Sequence, residues 1–439
     1  MRQFIRKIIV SLLLWEARLV IKKYKPKVIA ITGSVGKTSA KDAIYSVVSR
    51  GAHVRKSEKS FNSEIGIPLT ILGAPNAWQD PLKWIQNLFD GVSLILFGKS
   101  YPEWLVLEVG ADRPGDIKSL ANWLAVDIAV ITRLPDMPVH VEFFDSPEAV
   151  VEEKASLIRA LKPGGTLVLY ADDVRTRDLA SRAGERNVIL YGMEHDAFVR
   201  ANDMHPVFGE DGYPLGITAQ VFVGEATAPI EIKGAVGTHA LLSALAGVAV
   251  GSVFKKTVDE MVASLKEYDP PPGRMRLLRG IKETLLIDDT YNSSPAAAFA
   301  ALDALAFIGP HFSKIKHKRG RRIVVLGDML ELGRHSVEEH RKLGAHTAKK
   351  ATLLVTVGFR ARDIAEGALD HGLKDGAILQ FEDAEKAGNE LGALIKPGDT
   401  ILIKGSQGMR MEKTVEMLMA SPERAHELLV RQDAEWKKR

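Results

Sequence analysis

The stretch KVIAITGSVGKTS, residues 27–39, decides the fold of the first half of this chain. It begins with the β-branched, apolar run of a buried strand and continues directly into a glycine-rich loop. Gly33 and Gly36 allow the backbone N–H groups to face a phosphate. Lys37 adds a cation near the same oxygens, and Thr38 offers a hydroxyl to Mg²⁺. The spacing Gly-x-x-Gly-Lys-Thr between a strand and a helix therefore predicts a loop that binds the phosphates of a nucleoside triphosphate.

Length and composition indicate a globular protein of more than one domain. The chain has 439 residues, 46% hydrophobic and 26% charged, which is enough for two or three domains. It contains no cysteine, which excludes disulfides, thiolate metal sites and a cysteine nucleophile and fits a reducing compartment. Residues 1–27 hold eight Lys/Arg and one Glu, a net +7, so the other 412 residues carry −3 of the total +4. A basic nucleic-acid-binding body is therefore excluded.

The basic N-terminal segment is apolar along its middle. Residues 8–15 are apolar except for Ser11, and Lys and Arg flank them. This run is shorter than the roughly 20 apolar residues that cross a bilayer, and no small-residue cleavage site follows it. Two interpretations of a helix over residues 1–27 stay open. Its first 23 residues could lie on an anionic inner leaflet, or the helix could pack on its own domain or on a second subunit.

Apolar runs that alternate with helical stretches predict an α/β fold of two domains. The predicted strands are Trp104–Val109, Asp127–Thr132, Thr166–Tyr170, Val188–Tyr191, then Thr284–Ile287, Arg322–Leu326, Leu353–Val357, Ile378–Phe381 and Thr400–Ile403. Between the two sets we expect a short antiparallel meander over Thr218–Lys233, a tightly packed helix over Ala240–Gly251 and a linker, DPPPG, at residues 269–273. The prediction is a central P-loop ATPase domain, residues 28–272, with a mostly parallel sheet, and a C-terminal Rossmann-like domain, residues 273–439.

Several motifs, in a fixed order, resemble those of the Mur ligases, ATP-dependent amide-bond ligases of cell-wall synthesis. They are TGSVGKTS (32–39), FNSEIGIPLT (61–70), EVGADRPGDI (108–117), HVEFF (140–144) followed by Lys154, Gly273-Arg274, IDDTYN (287–292), GDMLELG (327–333) and KGSQGMRME (404–412). The resemblance is closest to the branch that joins D-alanyl-D-alanine to UDP-N-acetylmuramoyl-tripeptide. It implies that a carboxylate attacks the γ-phosphate of ATP to form an acyl phosphate, which an amine then attacks.

The resemblance also implies site residues. The catalytic group would be Lys37, His140, Lys154 and Arg274. ATP would contact Gly33, Ser34, Val35, Gly36, Lys37, Thr38, Ser39, Arg274, Asp288, Asp289, Tyr291 and Asn292, with either aspartate on the ribose. Two Mg²⁺ ions would use Thr38, Glu108, His140 and Lys154, with the lysine carbamylated by CO₂. Substrate contacts would come from Asn62, Ser63, Asp328, Glu331, Lys404, Ser406 and Arg410.

The chain departs from the family pattern in places that bear on its substrate. The family usually carries an N-terminal UDP-sugar-binding domain, whereas the first predicted strand here begins at residue 28. Ala240 follows His239 where the family usually has Asn, and Gln407 replaces a frequent Arg. A nucleotide-sugar peptide acid and an amino-acid or dipeptide amine are expected. Another acid–amine pair, with a polyglutamate, cyanophycin-like or lipid-linked acceptor, is the alternative.

A protein that binds nucleotide without catalysis, as a membrane-docked scaffold, is an alternative from another class. The intact set of predicted catalytic residues argues against it. A simple P-loop GTPase is not expected because the chain contains no convincing Asn-Lys-x-Asp base-reading motif. The expected location is cytoplasmic, and peripheral at the inner membrane face if the N-terminal helix contacts lipid.

Overall fold

The computed structural model of the chain describes residues 2–58, 62, 64–78, 80–194 and 196–437. Within these residues the chain forms a nine-stranded sheet followed by a six-stranded sheet, and helices cover both. The predicted α/β class is confirmed. The predicted strands are all present, with ends that differ by a few residues.

The first sheet is parallel over most of its width. Its strands are β1 (Lys27–Thr32), β2 (Val54–Lys56), β3 (Trp104–Glu108), β4 (Val126–Ile131), β5 (Leu161–Tyr170), β6 (Asn187–Gly192), β7 (Val199–Phe208), β8 (Pro214–Val223) and β9 (Ala226–Lys233). They lie in the order β2-β3-β1-β4-β5-β6-β7-β8-β9. Pairing is parallel as far as β7, and antiparallel from β7 to β9.

Nine α-helices accompany this sheet within the described ranges. They are α1 (Arg2–Tyr24), α2 (Lys37–Val48), α3 (Gly66–Leu72), α4 (Pro81–Phe97), α5 (Asp116–Ala121), α6 (Pro147–Ala155), α7 (Val174–Arg177), α8 (Thr238–Val253) and α9 (Val258–Leu265). The packed helix predicted over Ala240–Gly251 is α8, which is two residues longer at each end. It approaches α2 so closely that a Cβ at Gly247 would lie 3.0 Å from the Ala43 carbonyl oxygen.

Strand β1 sits at the point where the strand order reverses. Its apolar residues are fully buried, as expected for a strand with parallel neighbours and helices on both faces. It pairs with β3 on one side and β4 on the other, so the loops after these three strands meet at one edge of the sheet. Ligands of open α/β sheets bind in the crevice at such a point.

The antiparallel part of the first sheet is larger than the prediction. We expected a short meander over Thr218–Lys233, but the structure has three strands, β7 to β9, and the first of them begins at Val199. Strand β7 was missed because its sequence, VRANDMHPVF, carries an Asp and a Pro that obscure the apolar alternation. Its register shifts between Asn202 and His205, where the irregularity accommodates the polar stretch.

The second sheet starts after the proline-rich linker. Its strands are β10 (Arg276–Gly280), β11 (Thr284–Asp289), β12 (Arg322–Gly327), β13 (Leu353–Val357), β14 (Ile378–Phe381) and β15 (Thr400–Lys404), in the order β10-β11-β15-β12-β13-β14. Only the β10–β11 pair is antiparallel among these described strands. The helices are α10 (Pro295–Ile315), α11 (Ser336–Ala348), α12 (Arg362–Asp370), α13 (Ala384–Leu394), α14 (Glu412–Leu418), α15 (Ala425–Leu428) and α16 (Ala434–Lys437).

Helix α10 is long and apolar enough, by length and composition alone, to cross a membrane. Half of its apolar window is buried inside the protein, and the helix packs against β11, β12, β15 and α11. Leu302, Leu305 and Ile308 are fully buried in this contact. These contacts identify α10 as a core helix of the second sheet.

Helix α1 packs on its own domain, beside α3 and α4. Leu13, Ala17 and Val20 are fully buried in this contact. The Tyr24 hydroxyl donates to the carbonyl oxygen of Leu94 at 2.7 Å, which ties the C-terminal ends of α1 and α4 together. One of the two interpretations of the N-terminal segment is therefore realised, although the outer side of α1 stays exposed.

The core contact of α1 can be tested with two neighbouring leucines. Leu13→Ala removes a fully buried side chain, and we expect it to lower the free energy of unfolding by about 2–5 kcal/mol. Leu12→Ala is the matched control because Leu12, 42% exposed, points away from the core. Urea unfolding, with hydrogen exchange of the α1 amides, measures both variants. Equal effects of the two substitutions would contradict the packing described.

Candidate functional site

The glycine-rich loop joins β1 to α2 in a conformation that only glycine permits. Gly33 has φ 141°, and a Cβ there would lie 2.0 Å from the Thr132 hydroxyl oxygen. Gly36, with φ 87°, occupies the N-cap position of α2. The Lys37 ammonium donates to the Gly33 carbonyl at 2.9 Å, so it lies over the loop. The loop therefore presents a helix N-terminus and a cation to one point, as an anion site requires.

Glu108, at the end of β3, lies beside this loop and is buried. Its Oε1 accepts from the Thr38 hydroxyl at 3.2 Å and from the Asn62 side-chain amide at 3.1 Å. Its Oε2 accepts no hydrogen bond within the described part of the chain. The nearest cation to Oε2 is the ammonium of buried Lys41, at 4.0 Å. A buried carboxylate oxygen without a hydrogen-bond donor, next to a hydroxyl, suits a hard cation.

Lys154, on α6, is 1% exposed and lies behind the loop. Desolvation and the nearby Lys37 charge together lower its pKa to about 7, against the opposing pull of Asp112. Desolvation also lowers the pKa of Lys37, where Glu108 opposes the shift and Arg274 adds to it. Lys154 is therefore an amine that can be neutral near physiological pH, unlike a solvated helical lysine.

His140 connects the two halves of the chain. Its Nδ1 lies 2.7 Å from the Glu331 carboxylate, and its Nε2 lies 3.6 Å from Asp112. The hydrogen bond with His140 lowers the pKa of the Glu331 carboxyl. The Glu142 amide also donates to the Glu331 carbonyl at 3.3 Å, so the loop after β12 is docked against the first domain. Within the described residues, no group of three or more His, Cys, Asp or Glu side chains could hold a metal.

Arg274, just after the linker, reaches the phosphate loop. Its guanidinium donates to the Thr38 hydroxyl at 3.3 Å and lies 4.0 Å above the Tyr291 ring. The ring fixes one face of the guanidinium while the Nε finds no hydrogen-bond partner among the described residues. Arg274, in the second half of the chain, is therefore positioned to meet an anion bound at the phosphate loop of the first half.

Asp289 and Lys404 form a buried ion pair at the ends of β11 and β15. The Lys404 ammonium lies 2.6 Å from the Asp289 carboxylate and donates to the Asn292 carbonyl at 2.9 Å. Asp288 points to the other side, where its Oδ1 accepts from the amide and hydroxyl of Thr290. Burial raises the pKa of Asp288 to about 6. Of the two candidate aspartates, only Asp289 lines the cavity between the two halves.

These groups line one cavity of about 420 Å³. The predicted residues that it brings together are Ser34, Val35, Gly36, Lys37, Thr38, Ser39, Asn62, Glu108, His140, Arg274, Asp289, Tyr291, Asn292, Glu331, Lys404 and Ser406. The cavity lining does not include Gly33, whose carbonyl accepts from the Lys37 ammonium, or the buried Lys154, whose pKa the Lys37 charge lowers. The structure does not bring Asp288, Asp328 or Arg410 to the cavity. Ser63 lies outside the described residues.

The two remaining predicted substrate residues have structural contacts instead. Asp328 accepts from the Ala361 amide at 2.7 Å, and its carbonyl accepts from the Ser406 amide at 3.0 Å. Arg410 is held by Glu412 at 2.6 Å and by the Trp436 carbonyl at 3.2 Å. Both residues therefore shape loops that carry Ser406 rather than face the cavity themselves.

Two residues that line the cavity or face it were not among the site residues predicted from the sequence. Asp112 follows β3 by four residues and faces His140, a spacing from Glu108 that could have signalled it. His239 lines the cavity at the start of α8, and its Nε2 has no hydrogen-bond partner in the described ranges. Desolvation lowers the pKa of His239 to about 4, so the ring is neutral at pH 7. The signal that could have found it is its place directly before Ala240, in the segment where the family usually has Asn.

A second cavity, of about 380 Å³, adjoins the first. The two share Asn62 and Asp112. The outer cavity is lined by Val10 and Leu14 of α1 and by Trp123 after α5. A molecule in the outer cavity would therefore contact α1 at one end and Asn62 and Asp112, which also line the first cavity, at the other.

Comparisons with known proteins agree with this geometry. Residues 31–251 match the family described as Mur ligase middle domain, and residues 273–407 match the Mur ligase, glutamate ligase domain. A UDP-N-acetylmuramoyl-tripeptide–D-alanyl-D-alanine ligase of Bacillus subtilis is 28% identical over 92% of this chain and 79% of its own length. The MurF ligase of Thermotoga maritima, solved in complex with ADP, is 27% identical with a TM-score of 0.73, covering 93% and 83% of the two chains. MurF of Acinetobacter baumannii, 23% identical with a TM-score of 0.74 over 93% and 79%, shares the fold.

The lowered pKa of Lys154 predicts a pH-dependent stability. An exposed lysine has a pKa of 10.5, whereas this amine has about 7, so the folded state binds fewer protons between these values. The contribution of Lys154 to the free energy of unfolding is therefore complete above pH 10.5 and is lost as the pH falls towards 7. In CO₂-free buffer, the Lys154→Met variant should gain stability relative to the wild type as the pH is lowered through that window, with no further gain below it.

Urea unfolding at several pH values measures this difference. Lys118→Met is the matched control, because it removes a lysine that is exposed on neighbouring α5. Parallel stability curves for wild type and Lys154→Met would show that the Lys154 amine is not perturbed.

Proposed function

Because this chain belongs to the Mur ligase family and is an ATP-dependent peptide ligase, we propose that it joins D-alanyl-D-alanine to UDP-N-acetylmuramoyl-tripeptide in peptidoglycan synthesis. The observation that carries the proposal is the contact of Arg274 with Thr38, which closes the second half of the chain over the phosphate loop of the first. A ligase that forms an acyl phosphate needs such closure, because water would otherwise hydrolyse the intermediate.

The triphosphate of ATP would lie along the loop from Gly33 to Ser39. The loop amides and the N-terminus of α2 would receive the phosphates, with Lys37 above them. Arg274 would face the γ-phosphate from the opposite wall, held in place by Tyr291. Asp289 is the proposed ribose contact, because Asp288 is turned away and bonded to Thr290.

A magnesium ion fits beside Thr38 and Glu108. The Glu108 Oε2, which accepts no hydrogen bond in the described part of the chain, and the Thr38 hydroxyl would supply oxygen ligands, since Mg²⁺ keeps several waters when few protein ligands are present. When bound, Mg²⁺ neutralises charge on the phosphate oxygens and so favours transfer of the γ-phosphoryl group. His140 and Lys154 are the proposed ligands of a second Mg²⁺, and His140 would then leave its contact with Glu331.

Lys154 would serve that second ion as a carbamate. Its neutral amine would attack CO₂, forming an N–C bond and releasing one proton, which turns a buried cation into an anionic oxygen ligand. The neighbouring Lys37 charge supports the proposal, because it disfavours an ammonium at Lys154 and favours an anion there.

The proposed reaction has two steps. A substrate carboxylate oxygen attacks the γ-phosphorus, the bond to the β-phosphate oxygen breaks, and ADP and an acyl phosphate result. The amine nitrogen next attacks the acyl carbon, phosphate leaves, and the amine loses a proton. Lys37 and Arg274 stabilise charge on the transferring phosphoryl group, while the closed cavity aligns the reactants. Glu331, Lys404 and Ser406 lie on the wall where the amine substrate would be held.

The acid substrate would enter through the outer cavity. Asn62 and Asp112 lie where the two cavities meet, and Arg113 and Trp123 line the outer one. We place the reaction in the cytoplasm, where ATP is available. The partners are therefore a nucleotide-sugar peptide acid and a dipeptide amine.

The proposed function is tested by ADP release and product mass spectrometry. With ATP, Mg²⁺, UDP-N-acetylmuramoyl-tripeptide and D-alanyl-D-alanine, we expect one ADP for each pentapeptide product. Lys37→Met and Arg274→Met should each lower kcat by about a hundredfold or more, because each removes a cation from the transferring phosphoryl group. Arg276→Met is the matched control, since Arg276 pairs with Asp269 outside the cavity.

Two outcomes would count against this proposal. ADP release with a different acid, and none with the tripeptide, would keep the ligase chemistry and discard the substrate. Unchanged turnover in Arg274→Met would remove the closure contact from the mechanism.

The carbamate has its own test. In ¹³C-bicarbonate, the wild type should show a carbamate carbon signal that Lys154→Ala lacks and that Lys118→Ala retains. Lys154→Ala should lower kcat about a hundredfold, because the proposed anionic ligand is lost, and acetate or formate should restore part of it. Full activity of Lys154→Ala without added acid would rule the role out.

A further inference from the structure

Helix α4 turns an apolar stripe towards solvent. The stripe consists of Leu82, Ile85, Phe89, Val92 and Leu96, which recur at helical spacing, and Phe97 extends it at the C-terminal end. Leu82, Phe89 and Phe97 are 75%, 71% and 75% exposed, which is unusual for large apolar side chains. The buried side of the same helix holds Asn87 and Gly91. The half-buried Trp84, Leu88 and Ile95 of α4 also pack against the core, so the helix is apolar on both its packed and its exposed side.

Helix α1 lies beside α4 and extends this surface. Its Ile8, Leu12 and Trp15 share one helical face and are 43%, 42% and 55% exposed. The two helices are joined at their C-terminal ends, where the Lys23 ammonium donates to the carbonyl oxygen of Ile95 at 2.7 Å. We call the exposed apolar side chains of α1 and α4 the α1–α4 surface.

The positive charge of the chain is concentrated in the segment that contains α1. Residues 1–27 carry +7, and the rest of the chain carries −3. Arg18 and Lys22 are exposed on the same face of α1 as Trp15, where long basic side chains can keep their charges in the headgroup layer. Glu16, the one acid of residues 1–27, is 3% exposed and faces Gly91, so the outer face of α1 carries no carboxylate, and the exposed acid of α4 is Asp90. Desolvation raises the pKa of Glu16 to about 7, which weakens its negative charge further.

We propose that the α1–α4 surface docks on the surface of an anionic lipid bilayer. A basic helix pair with an aromatic-rich apolar side matches both layers of such a membrane, the anionic headgroups and the adjoining acyl chains. A second copy of this chain is the less favourable occupant, because it would bring another +7 segment to the same place. The surface is not explained by the ligase chemistry, because none of its side chains lines the catalytic cavity.

Docking would also orient the outer cavity. Val10 and Leu14 line that cavity from the side of α1 next to the exposed face. The N-terminal helix would thus lie between the bilayer and the passage to the phosphate loop. The acid substrate would then be bound, and the product released, close to the membrane.

The proposal is tested by co-sedimentation of the full chain with vesicles. The wild type should bind vesicles of equal phosphatidylglycerol and phosphatidylcholine, and bind pure phosphatidylcholine at least about tenfold more weakly. Phe89→Ser should lower the partition coefficient about tenfold, and the triple variant Ile85→Ser, Phe89→Ser, Leu96→Ser should abolish binding. Phe359→Ser is the matched control, since Phe359 is 77% exposed on the second domain and should leave binding unchanged.

The contribution of the basic side chains to vesicle binding is tested with a matched pair of double variants. Lys7→Gln with Lys22→Gln should lower binding to the anionic vesicles about twentyfold, while Lys349→Gln with Lys374→Gln should not change it. ADP release by all variants in vesicle-free buffer should equal that of the wild type, which shows that they are folded and separates this test from that of the ligase activity.

Two results would overturn the proposal. The first is retention of vesicle binding by the triple variant. The second is a wild-type dimer in sedimentation velocity that becomes a monomer in the triple variant, without vesicle binding by either, which would identify the surface as an interface between copies.

Discussion

The placement of the glycine-rich loop at the carboxyl end of β1 is the constraint on which the site depends. Because β1 is buried between β3 and β4, the loops after all three strands meet at one edge, and Gly33 can approach Thr132 only because it lacks a Cβ. That approach leaves room for Lys37 above the loop and brings Thr38 to Glu108. Arg274 then closes the second half of the chain onto the same hydroxyl. A single packed strand end therefore organises the phosphate site, the proposed metal site and the domain contact.

The site concentrates buried cations. Desolvation lowers the pKa of Lys37, Lys41 and Lys154, and the Arg274 Nε has no hydrogen-bond partner among the residues that the structure describes. Such an arrangement is unfavourable in the isolated protein and becomes favourable when an anion enters. The same reasoning explains why Glu108 can keep a bare carboxylate oxygen beside these cations. The site is thus preorganised for a polyanion with its own counter-ion, as the triphosphate of ATP with Mg²⁺ is.

The N-terminal helix α1 has one face that packs on the protein and another that is exposed. Leu13, Ala17 and Val20 hold α1 on the domain, while the basic and aromatic side remains outside next to the apolar stripe of α4. A helix can have one face for its own core and another for a lipid surface, because about three residues of each two turns suffice for core packing. The two interpretations of the N-terminal segment, packing and membrane contact, therefore do not exclude each other.

The sequence by itself determined the α/β class, the phosphate loop and the family, because strand periodicity, glycine spacing and motif order are local properties of the chain. It did not reveal β7, whose Asp and Pro obscure the alternation, or α4, which has apolar residues on both its packed and its exposed side. It also left Asp288 and Asp289 equivalent, since neighbouring residues of a strand point to opposite faces and only the packing shows which face meets the cavity. The lowered pKa of Lys154, the orientation of His239 and the contact of Arg274 with Thr38 were decided by tertiary structure alone, because each depends on groups far apart in sequence that burial brings together.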